Sequence, residues 1–538
     1  MKKVLIVFVI ASFIARSEAQ TPVKTSLAPA SGSSLLSGIF YAPSGSSIIL
    51  QNNAKNDLTI TAKKETGKTF SSNTFNFTAP IPDKTSYKVS LKKAPAGQTC
   101  FISGGGEGTM PQTVNNLRVC SDYTYDLQSR SSDDKTFSTF YESTDPAVGG
   151  GTGEEGRYVA FVSNANFAGS TGKHRQIFWR DRNSGIIRLI SAAPTGEEGN
   201  GDSFFPAISG DGKTVAFESY SSNLVLSDKN GLRDIFVWHS ATNKIETVSI
   251  GAKGVEEDAE SYEPSVSGDG NLIAFTSTAS NICKIGKGIS NNNVFLRDLQ
   301  KDTTIMISID PQARKGGGGS KPSISGDGNR IAFYSTATLV PDDNNGFWDI
   351  YLWDRNTKKL KRVSLTNDHK ERNQGSESAN RIVAPAISGN GQFIAYTTTA
   401  SNMVAGDDNN LQDVFVYNIS KDSVVIASIN SVGKPGNADS PIEQGEKIAI
   451  SFDGIWVAFS TKATNLGVPA SNIVMHNLST KENKVVSSVE GSSVGRPSIS
   501  RSGSYVVFGI GGKIDGRFQS SGIFANYTGI GPCRFCPE

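Results

Sequence analysis

The sequence predicts an all-β protein in which a small β-sandwich is followed by a seven-bladed β-propeller. The first observation is a repeat, in which a Ser-Gly-Asp-Gly turn precedes an apolar run ending on an aromatic residue, as in Ser209–Phe217 and Ser267–Phe275. The second is composition: 55 Gly, and short runs of Val, Ile, Phe, Ser and Thr, favour strands joined by turns over helices. The third is a change of pattern near residue 136, where the repeat begins.

The repeat has the length and internal pattern of a propeller blade. Its aromatic anchors are Phe161, Phe217, Phe275, Phe333, Tyr396, Phe459 and Phe508, spaced 49 to 63 residues apart. Each unit contains four strand-like stretches, in blade four Pro322–Ser325, the run ending at Phe333, Asp349–Asp354 and Leu360–Leu365. Solenoid repeats are shorter, and a sandwich domain needs about 100 residues. Seven anchors predict seven blades and leave six or eight as alternatives.

The repeat resembles that of TolB-like (WD-type) propellers, with Pro-x-x-Ser-x-Asp-Gly and Asp-[Ile/Val]-[Phe/Tyr]-[Val/Leu] strands over residues 137–528. The resemblance implies a propeller whose function lies in its loops. The last unit has a third strand at Gly522–Tyr527 and no evident fourth. Phe137–Glu142, upstream of the first unit, is the candidate for that strand, which would close the ring and remove an open sheet edge.

Residues 20–121 differ in kind and predict the sandwich. Alternating stretches between Gly38 and Val119 indicate strands, and LQNNAKNDLTI and YKVSLKKAPAGQTC resemble a small module common in bacterial surface proteins. The resemblance implies a disulfide between Cys100 and Cys120 and a role as spacer or docking domain. Residues 122–136 are polar and predict a linker. In the tail, 529–538, Cys533 and Cys536 predict a small disulfide cap or a tether to another subunit.

Residues 1–19 predict a secretory signal peptide. Lys2 and Lys3 precede the apolar stretch Val4–Ile14, and Ser17-Glu18-Ala19 has small residues where a signal peptidase cleaves. Val4–Ile14 is too short to span a bilayer, and no later stretch approaches 18 apolar residues, so no transmembrane segment is expected. The expected location is the periplasm, the cell surface or the medium. A net charge of +2 argues against a nucleic-acid partner.

Three units share the pattern Asp-x-Asn-[Gly/Asn]-x-x-Asp between their second and third strands. Oxygen ligands at this spacing suit Ca²⁺, and the pattern resembles the calcium loops of integrin-type propellers. It departs from them at the first ligand, where Leu226, Pro341 and Ala405 replace Asp. The alternative is an Asx-stabilised turn. The candidate calcium ligands are Asp228, Asn230 and Asp234, then Asp343, Asn345 and Asp349, then Asp407, Asn409 and Asp413.

Topology assigns these loops to one face of the propeller. In an up-and-down blade, the loops after strands two and four leave on the same face, here called the long-loop face, which also carries the connections 251–263, 366–383 and 431–446. The opposite face, here called the turn face, carries the Gly-Asp-Gly turns. Function on such scaffolds lies in the longer loops. The candidate binding residues are Glu256, Glu257, Asp258 and Glu260, which with Glu263 form an acidic edge, and His369.

Each of these candidates has a plainer alternative. The acidic edge is either a docking patch for a basic partner or a solvated loop, and His369 either faces the channel mouth or lies on the surface. Gly491–Gly495 matches G-x-S-x-G but has no following helix to form a nucleophile elbow. The sequence therefore favours a non-enzymatic binding, adhesion or scaffold protein that holds a protein or glycan. A hydrolase or lyase acting on polysaccharide and a purely structural envelope protein are the alternatives, and calcium is the candidate cofactor.

Overall fold

The structure is a computed structural model that describes parts of residues 33–129 and most of residues 142–528. The described segments of the first part are 33–34, 37–43, 47–53, 55–61, 70–77, 81–82, 84–93, 102–103, 107–109, 117–119 and 125–129. The gaps in the second part are 167, 227, 252–253, 284–291, 311–314, 375–382, 442–446, 468–471, 488–492 and 512–521. The predicted signal peptide and Cys100, Cys120, Cys533 and Cys536 lie outside the described residues.

The described residues before 120 form β-sheets. Their strands are Ser33–Ser34, Ser37–Pro43, Ser47–Asn52, Lys55–Thr61, Phe70–Asn76, Ile81–Pro82, Ser86–Lys93, Ile102–Ser103, Glu107–Thr109 and Leu117–Val119. They make two four-stranded sheets and one two-stranded sheet. Alternation along Ser47–Asn52 buries Leu50, and Phe75 of the other four-stranded sheet is also buried. No helix of the described residues is long and apolar enough to cross a membrane.

The repeat forms four-stranded antiparallel sheets, numbered here as blades 1 to 7 in chain order, with strands 1 to 4 in each. Blade 1 comprises Ser143–Gly149, Tyr158–Ser163, Gln176–Asp181 and Ile187–Leu189. Blade 2 comprises Ser203–Ile208, Thr214–Ser219, Asp234–His239 and Lys244–Thr247. Blade 3 comprises Ser261–Val266, Leu272–Ser277, Asn293–Asp298 and Thr303–Met306. Blade 4 comprises Ser320–Ile324, Arg330–Ser335, Asp349–Asp354 and Lys359–Arg362. Blade 5 comprises Ala386–Ile387, Phe393–Thr398, Asp413–Asn418 and Ser423–Ile426. Blade 6 comprises Ala449–Ile450, Trp456–Thr461, Asn472–Asn477 and Asn483–Val485.

Blade 7 comprises Ser493–Ile499, Tyr505–Gly511, Gly522–Tyr527 and Tyr125–Leu127. A two-stranded ribbon, Ile309–Asp310 with Lys315–Gly316, lies in the connection between blades 3 and 4. Neighbouring blades pack against each other, and blade 7 packs against blade 1. The described chain is therefore all β with a closed β-propeller, and the predicted fold class is confirmed.

The aromatic anchors of the repeat form the core of each blade. Phe217 on strand 2 pairs in register with Phe236 on strand 3, and their ring centroids are 6.0 Å apart. Blade 4 repeats the arrangement with Phe333 and Tyr351, also 6.0 Å apart. All four side chains are fully buried. Burial of each anchor contributes about 1.5–3 kcal/mol, which explains why the anchor recurs in every unit, including blade 6, where it faces Val474.

The glycines of the Ser-Gly-Asp-Gly turns bring neighbouring blades into contact on the turn face. The N–H of Gly268 donates to the carbonyl of Gly326 at 2.9 Å, and the N–H of Gly326 donates to that of Gly389 at 2.9 Å. A Cβ atom on Gly268 would lie 2.8 Å from the Gly326 oxygen. The first glycine of the turn is therefore required by a close approach of two backbones.

The ring closes through a different strand from the one predicted. Tyr125–Leu127 pairs antiparallel with Gly522–Tyr527 and is the outermost strand of blade 7. The prediction that Phe137–Glu142 fills this place was wrong. Ser143 begins the innermost strand of blade 1, three strand spacings or about 14 Å from the outer edge of a blade. A strand ending at Glu142 leaves no chain to cross that distance, whereas Tyr125–Leu127 leaves some 15 residues.

Candidate functional site

One residue of each blade lies two residues before the inner-strand residue that pairs with the neighbour of the aromatic anchor on strand 2. These residues are Asp145, Phe205, Glu263, Lys321, Ala384, Lys447 and Arg496, here called the axial ring. All except Lys447 directly precede a proline. The proline is part of the strand motif evident in the sequence, whereas the residue before it varies in type and gives no repeated signal.

A β-bulge sets the direction of most of these side chains. In blade 4, Lys321 and Pro322 together lie opposite one residue, the anchor Phe333, and blades 1, 2, 3 and 7 show the same shift of register. The backbone at the bulge is left-handed, with φ of 51° at Asp145 and 52° at Arg496. Positive φ is uncommon in residues other than glycine, and such strain is concentrated at functional sites.

Contacts between blades that are not neighbours show that the ring faces the central channel. The Lys447 Nζ atom of blade 6 lies 3.8 Å from Asp145 Oδ1 of blade 1. It also lies 5.7 Å from the ring centroid of Phe205 in blade 2. Arg496 of blade 7 forms an ion pair with the same Asp145 and lies over the same Phe205 ring, at 5.7 Å. The Arg496–Asp145 pair joins neighbouring blades, whereas the other three contacts skip one or two blades and cross the channel.

The charges of the axial ring are unevenly matched. Lys321 Nζ lies 3.0 Å from Glu263 Oε1, so that these two side chains form a pair of their own. Arg496 and Lys447 share one carboxylate, that of Asp145, whose side chain is only 4 % exposed. Burial lowers the pKa of Lys447, and Arg496 adds to this effect while Asp145 opposes it. Among the described members of the ring, blades 6 and 7 thus place two cations beside the single carboxylate of Asp145.

The axial ring is connected to the long-loop face through a buried glutamate. Glu218 in blade 2 accepts a hydrogen bond from the N–H of Glu263 at 2.8 Å. It also accepts one from Arg233 Nη1 at 3.0 Å, and Arg233 belongs to the Asp-rich loop of blade 2. Arg233 lies in turn over the ring of Tyr262, 4.6 Å from its centroid. The channel and the loops thus belong to one hydrogen-bonded region.

Two arginines from outside the Asp-rich loop of blade 4 place their side chains against its carboxylates. Arg362 Nη1 lies 2.9 Å from Asp343 Oδ1 and 3.8 Å from Asp349 Oδ2. Arg372 Nη2 lies 3.3 Å from Asp349 Oδ1, and both guanidinium groups are buried. Asn345 Oδ1 accepts the N–H of Phe347 at 2.8 Å, as an Asx turn requires. The arginines neutralise the carboxylates that the sequence offered as calcium ligands.

The corresponding loop of blade 2 has an acid in place of an arginine. Glu257, which is 2 % exposed, faces Asp234. Burial and the neighbouring Asp234 raise the pKa of Glu257 to about 11, and burial with the same neighbour raises that of Asp228 to about 6. Among the described residues, neither Glu257 Oε1 nor Asp228 Oδ1 accepts a hydrogen bond. Asn230 again forms the Asx turn, accepting the N–H of Leu232 at 2.8 Å.

The loop of blade 5 is intermediate between these two. Asn409 Nδ2 donates to Asp413 Oδ2 at 2.9 Å and to the carbonyl of Gly436 at 3.0 Å. Burial raises the pKa of Asp413 to about 7 and also raises that of Asp407. In no part of the described chain do three His, Cys, Asp or Glu side chains converge as a metal site. Calcium binding by these loops, which would also use backbone and amide oxygens, stays a prediction.

The remaining candidate residues have partners within the protein. Glu260 pairs with Arg233 at 3.0 Å, and Asp258 accepts an N–H of blade 3 at 2.7 Å. Glu257 faces the interior, and Glu263 belongs to the axial ring. His369 is exposed in a turn whose neighbour Asn367 bonds the backbone of Val424, on the outermost strand of blade 5, at 2.7 and 3.0 Å. His369 therefore lies at the outer edge of the ring and not at the channel mouth.

No family model matches the sequence, and no curated protein matches it. Solved β-propellers resemble its structure at low identity. TolB from Acinetobacter baumannii is 15 % identical with a TM-score of 0.32, and the match covers 64 % of this chain and 76 % of that one. An oligogalacturonate lyase from Vibrio parahaemolyticus is 10 % identical with a TM-score of 0.44, covering 74 % and 96 %.

The β-propeller domain of the Trilobed protease from Pyrococcus furiosus is 14 % identical with a TM-score of 0.42, covering 72 % of this chain and 96 % of that one. Likeness at this level does not transfer an activity or a partner between proteins. The fold of the present chain rests on the strand pairing described above.

Proposed function

We propose that this chain is an exported, non-enzymatic binding protein that holds its partner at the long-loop face of the propeller, over the axial ring. The observation that supports this proposal is the axial ring itself. Seven equivalent backbone positions carry three cations, two anions, an aromatic ring and an alanine. A purely structural channel has no need of charged residues at these positions, because apolar packing is at least as stabilising.

The partner that fits this face is a protein in the envelope or outside the cell, with a glycan as the alternative. Export rests on the predicted signal peptide at residues 1–19. The residues before 120 would act as a spacer or docking module. The alternative of a polysaccharide hydrolase or lyase stays a prediction, and no arrangement of described residues specifically favours it.

Affinity capture with paired charge reversals tests the proposal. The mature chain, residues 20–538, would be used to capture proteins from the envelope and secreted fractions of its own organism, with calcium and with chelator. Lys447→Glu changes the axial ring, and Lys213→Glu makes the same change at an exposed site on the turn face. We expect a partner that is retained by wild type and Lys213→Glu and is lost by Lys447→Glu. A partner retained equally by all three chains would contradict the proposed face.

A further inference from the structure

We propose that the axial ring binds a carboxylate of an acidic peptide segment, at Ala384 and Lys447 on blades 5 and 6. The proposal rests on the proposed function and names the chemistry of its ligand. It follows from a comparison of two lysines that occupy corresponding positions in different blades.

Lys321 of blade 4 shows how the ring accommodates a lysine. The residue at the equivalent position of the preceding blade is Glu263, and its Oε1 atom lies 3.0 Å from Lys321 Nζ. Its Oε2 atom also accepts the N–H of Lys321 at 3.0 Å. The lysine thus has a carboxylate from the neighbouring blade within hydrogen-bond distance of both its backbone and its side chain.

Lys447 of blade 6 has the corresponding place along its strand, but it has neither the positive φ of Lys321 nor the same partner. The equivalent residue of the preceding blade is Ala384, which is bridged to Lys447 by backbone pairing and has no charge. Among the described residues, the paired anion is Asp145, at 3.8 Å from Lys447 Nζ, which is beyond hydrogen-bond distance. Asp145 is also the ion-pair partner of Arg496. A carboxylate brought to Lys447 from outside would therefore form the kind of pair that Glu263 forms with Lys321.

The site is reachable and suits a carboxylate. The side chain of Lys447 is 28 % exposed and that of Arg496 is 30 % exposed, so both are accessible from the channel. A partly buried ammonium group gains from an anion that replaces its lost hydration. Ala384 is bridged to Lys447 through the backbone and brings no carboxylate to it, whereas Glu263 brings one to Lys321.

A peptide fits the surroundings better than an acidic sugar. The uncharged ring positions beside the site are Phe205 and Ala384, whose side chains offer no hydrogen bond to sugar hydroxyl groups. Phe205 lies 5.7 Å from both Lys447 and Arg496 and provides an apolar wall for the methylene groups of a glutamate. The glutamate side chain of a peptide has both a carboxylate for Lys447 and methylene groups for the ring of Phe205.

Calorimetric titration of the full mature chain tests the inference. The probe is acetylated and amidated tetraglutamate, with tetraglutamine as the uncharged control. We expect wild type to bind tetraglutamate and not tetraglutamine. Lys447→Met and Ala384→Glu should each weaken binding about tenfold or more, the first by removing the cation and the second by supplying the carboxylate from within. Lys447→Arg and the exposed-site control Lys421→Met should retain binding.

A structural defect would not reproduce this set of results. Ala384→Glu should raise the thermal midpoint, because it gives Lys447 the partner that Lys321 has. Tetraglutamate that does not bind wild type, or that binds Ala384→Glu as tightly as wild type, would overturn the inference, as would preferential binding of tetragalacturonate. If a partner is still captured in an axial-ring-dependent way while tetraglutamate does not bind, the carboxylate is wrong and the proposed function stands. If capture does not depend on the axial ring and tetraglutamate does not bind, the proposed function and this inference are both wrong.

Discussion

Glu257 of blade 2 occupies the position that Arg372 occupies in blade 4. The residue before each of them, Glu256 or Glu371, accepts a backbone N–H of its own Asp-rich loop, at 2.6 and 2.8 Å. The carbonyl of that residue accepts the side chain of an asparagine in the following blade, at 2.8 and 2.9 Å. Two loops with the same sequence pattern therefore differ at their centre, where blade 4 has a buried guanidinium group and blade 2 has a buried carboxyl group.

This difference predicts that any calcium response of the protein comes from blade 2 and not from blade 4. A divalent cation would relieve the repulsion among the carboxyl groups of blade 2, whereas the arginines already fill that role in blade 4. We expect Asp228→Asn to reduce a calcium-dependent rise in thermal midpoint and Asp343→Asn to leave it unchanged. A response lost in Asp343→Asn would contradict the assignment, and no response in wild type would favour plain Asx turns in all three loops.

Arg362 is predicted to be required for stability. Its side chain is 2 % exposed, and Arg362→Met would leave Asp343 buried without its guanidinium partner. Breaking a buried ion pair costs about 3–5 kcal/mol. Denaturant unfolding should show this loss, and adding Asp343→Asn should recover part of it. The control Lys370→Met removes an exposed ion pair with Asp368 and should leave unfolding unchanged. If Arg362→Met and Lys370→Met lower the free energy of unfolding equally, Arg362 does not have this role.

The closing strand predicts where the chain can be shortened. A chain that begins at residue 122 retains Tyr125–Leu127, whereas one that begins at residue 130 loses it. We expect the second chain to have a thermal midpoint several degrees below the first, because blade 7 then exposes the edge of Gly522–Tyr527. Coincident midpoints for the two chains would show that the strand does not hold the ring together.

Lys447 is predicted to cost stability in the absence of a ligand. Burial lowers its pKa in the folded protein, so the folded state disfavours the ammonium form, and the penalty is complete below the lowered pKa. The penalty disappears as pH rises past the ordinary lysine value of 10.5, where both states are neutral. Lys447→Met should therefore be more stable than wild type at pH 7, with a difference that shrinks towards pH 10. Lower stability of the variant at pH 7 would mean that its ion pair outweighs burial.

The close approach of the turn glycines predicts a contrast between two alanine substitutions. Gly268→Ala would place Cβ 2.8 Å from the backbone oxygen of Gly326, which is held by the next blade. We expect a loss of about 1–3 kcal/mol in the free energy of unfolding. Gly151→Ala, where no atom lies within 4 Å of the new Cβ, should be nearly neutral. If both variants unfold alike, the contact between blades is looser than the structure shows.

The propeller could be predicted from sequence because its signals are local and repeated. Each anchor such as Phe217 recurs with its turn and its alternating third strand, and one period contains the whole hydrogen-bonding unit. The closing strand could not be found in this way. Tyr125–Leu127 is only three residues long, and its pairing with Gly522–Tyr527 depends on contact between distant parts of the chain. Its segment is polar and resembles a linker.

The candidate site was predicted less completely than the fold. The Asp-rich loops and their face were identified, and bonds such as Asn409 to Gly436 confirm that these loops lie beside the connections between blades. The charge at their centres depends on Arg372, Glu257 or Gly436, which lie far outside the loop pattern. The axial ring was missed because its members share a position and not a residue type. Apart from Lys447, its members are marked in the sequence only by the proline that follows them.

The most direct measurement is amide hydrogen exchange of the mature chain with and without its captured partner. If the partner sits over the axial ring, protection should appear in the innermost strands, such as Ser320–Ile324, and in the connections of the long-loop face. The Gly-Asp-Gly turns and the outer strands, such as Lys359–Arg362, should exchange as before. Protection confined to the turn face or the outer edge would contradict the account.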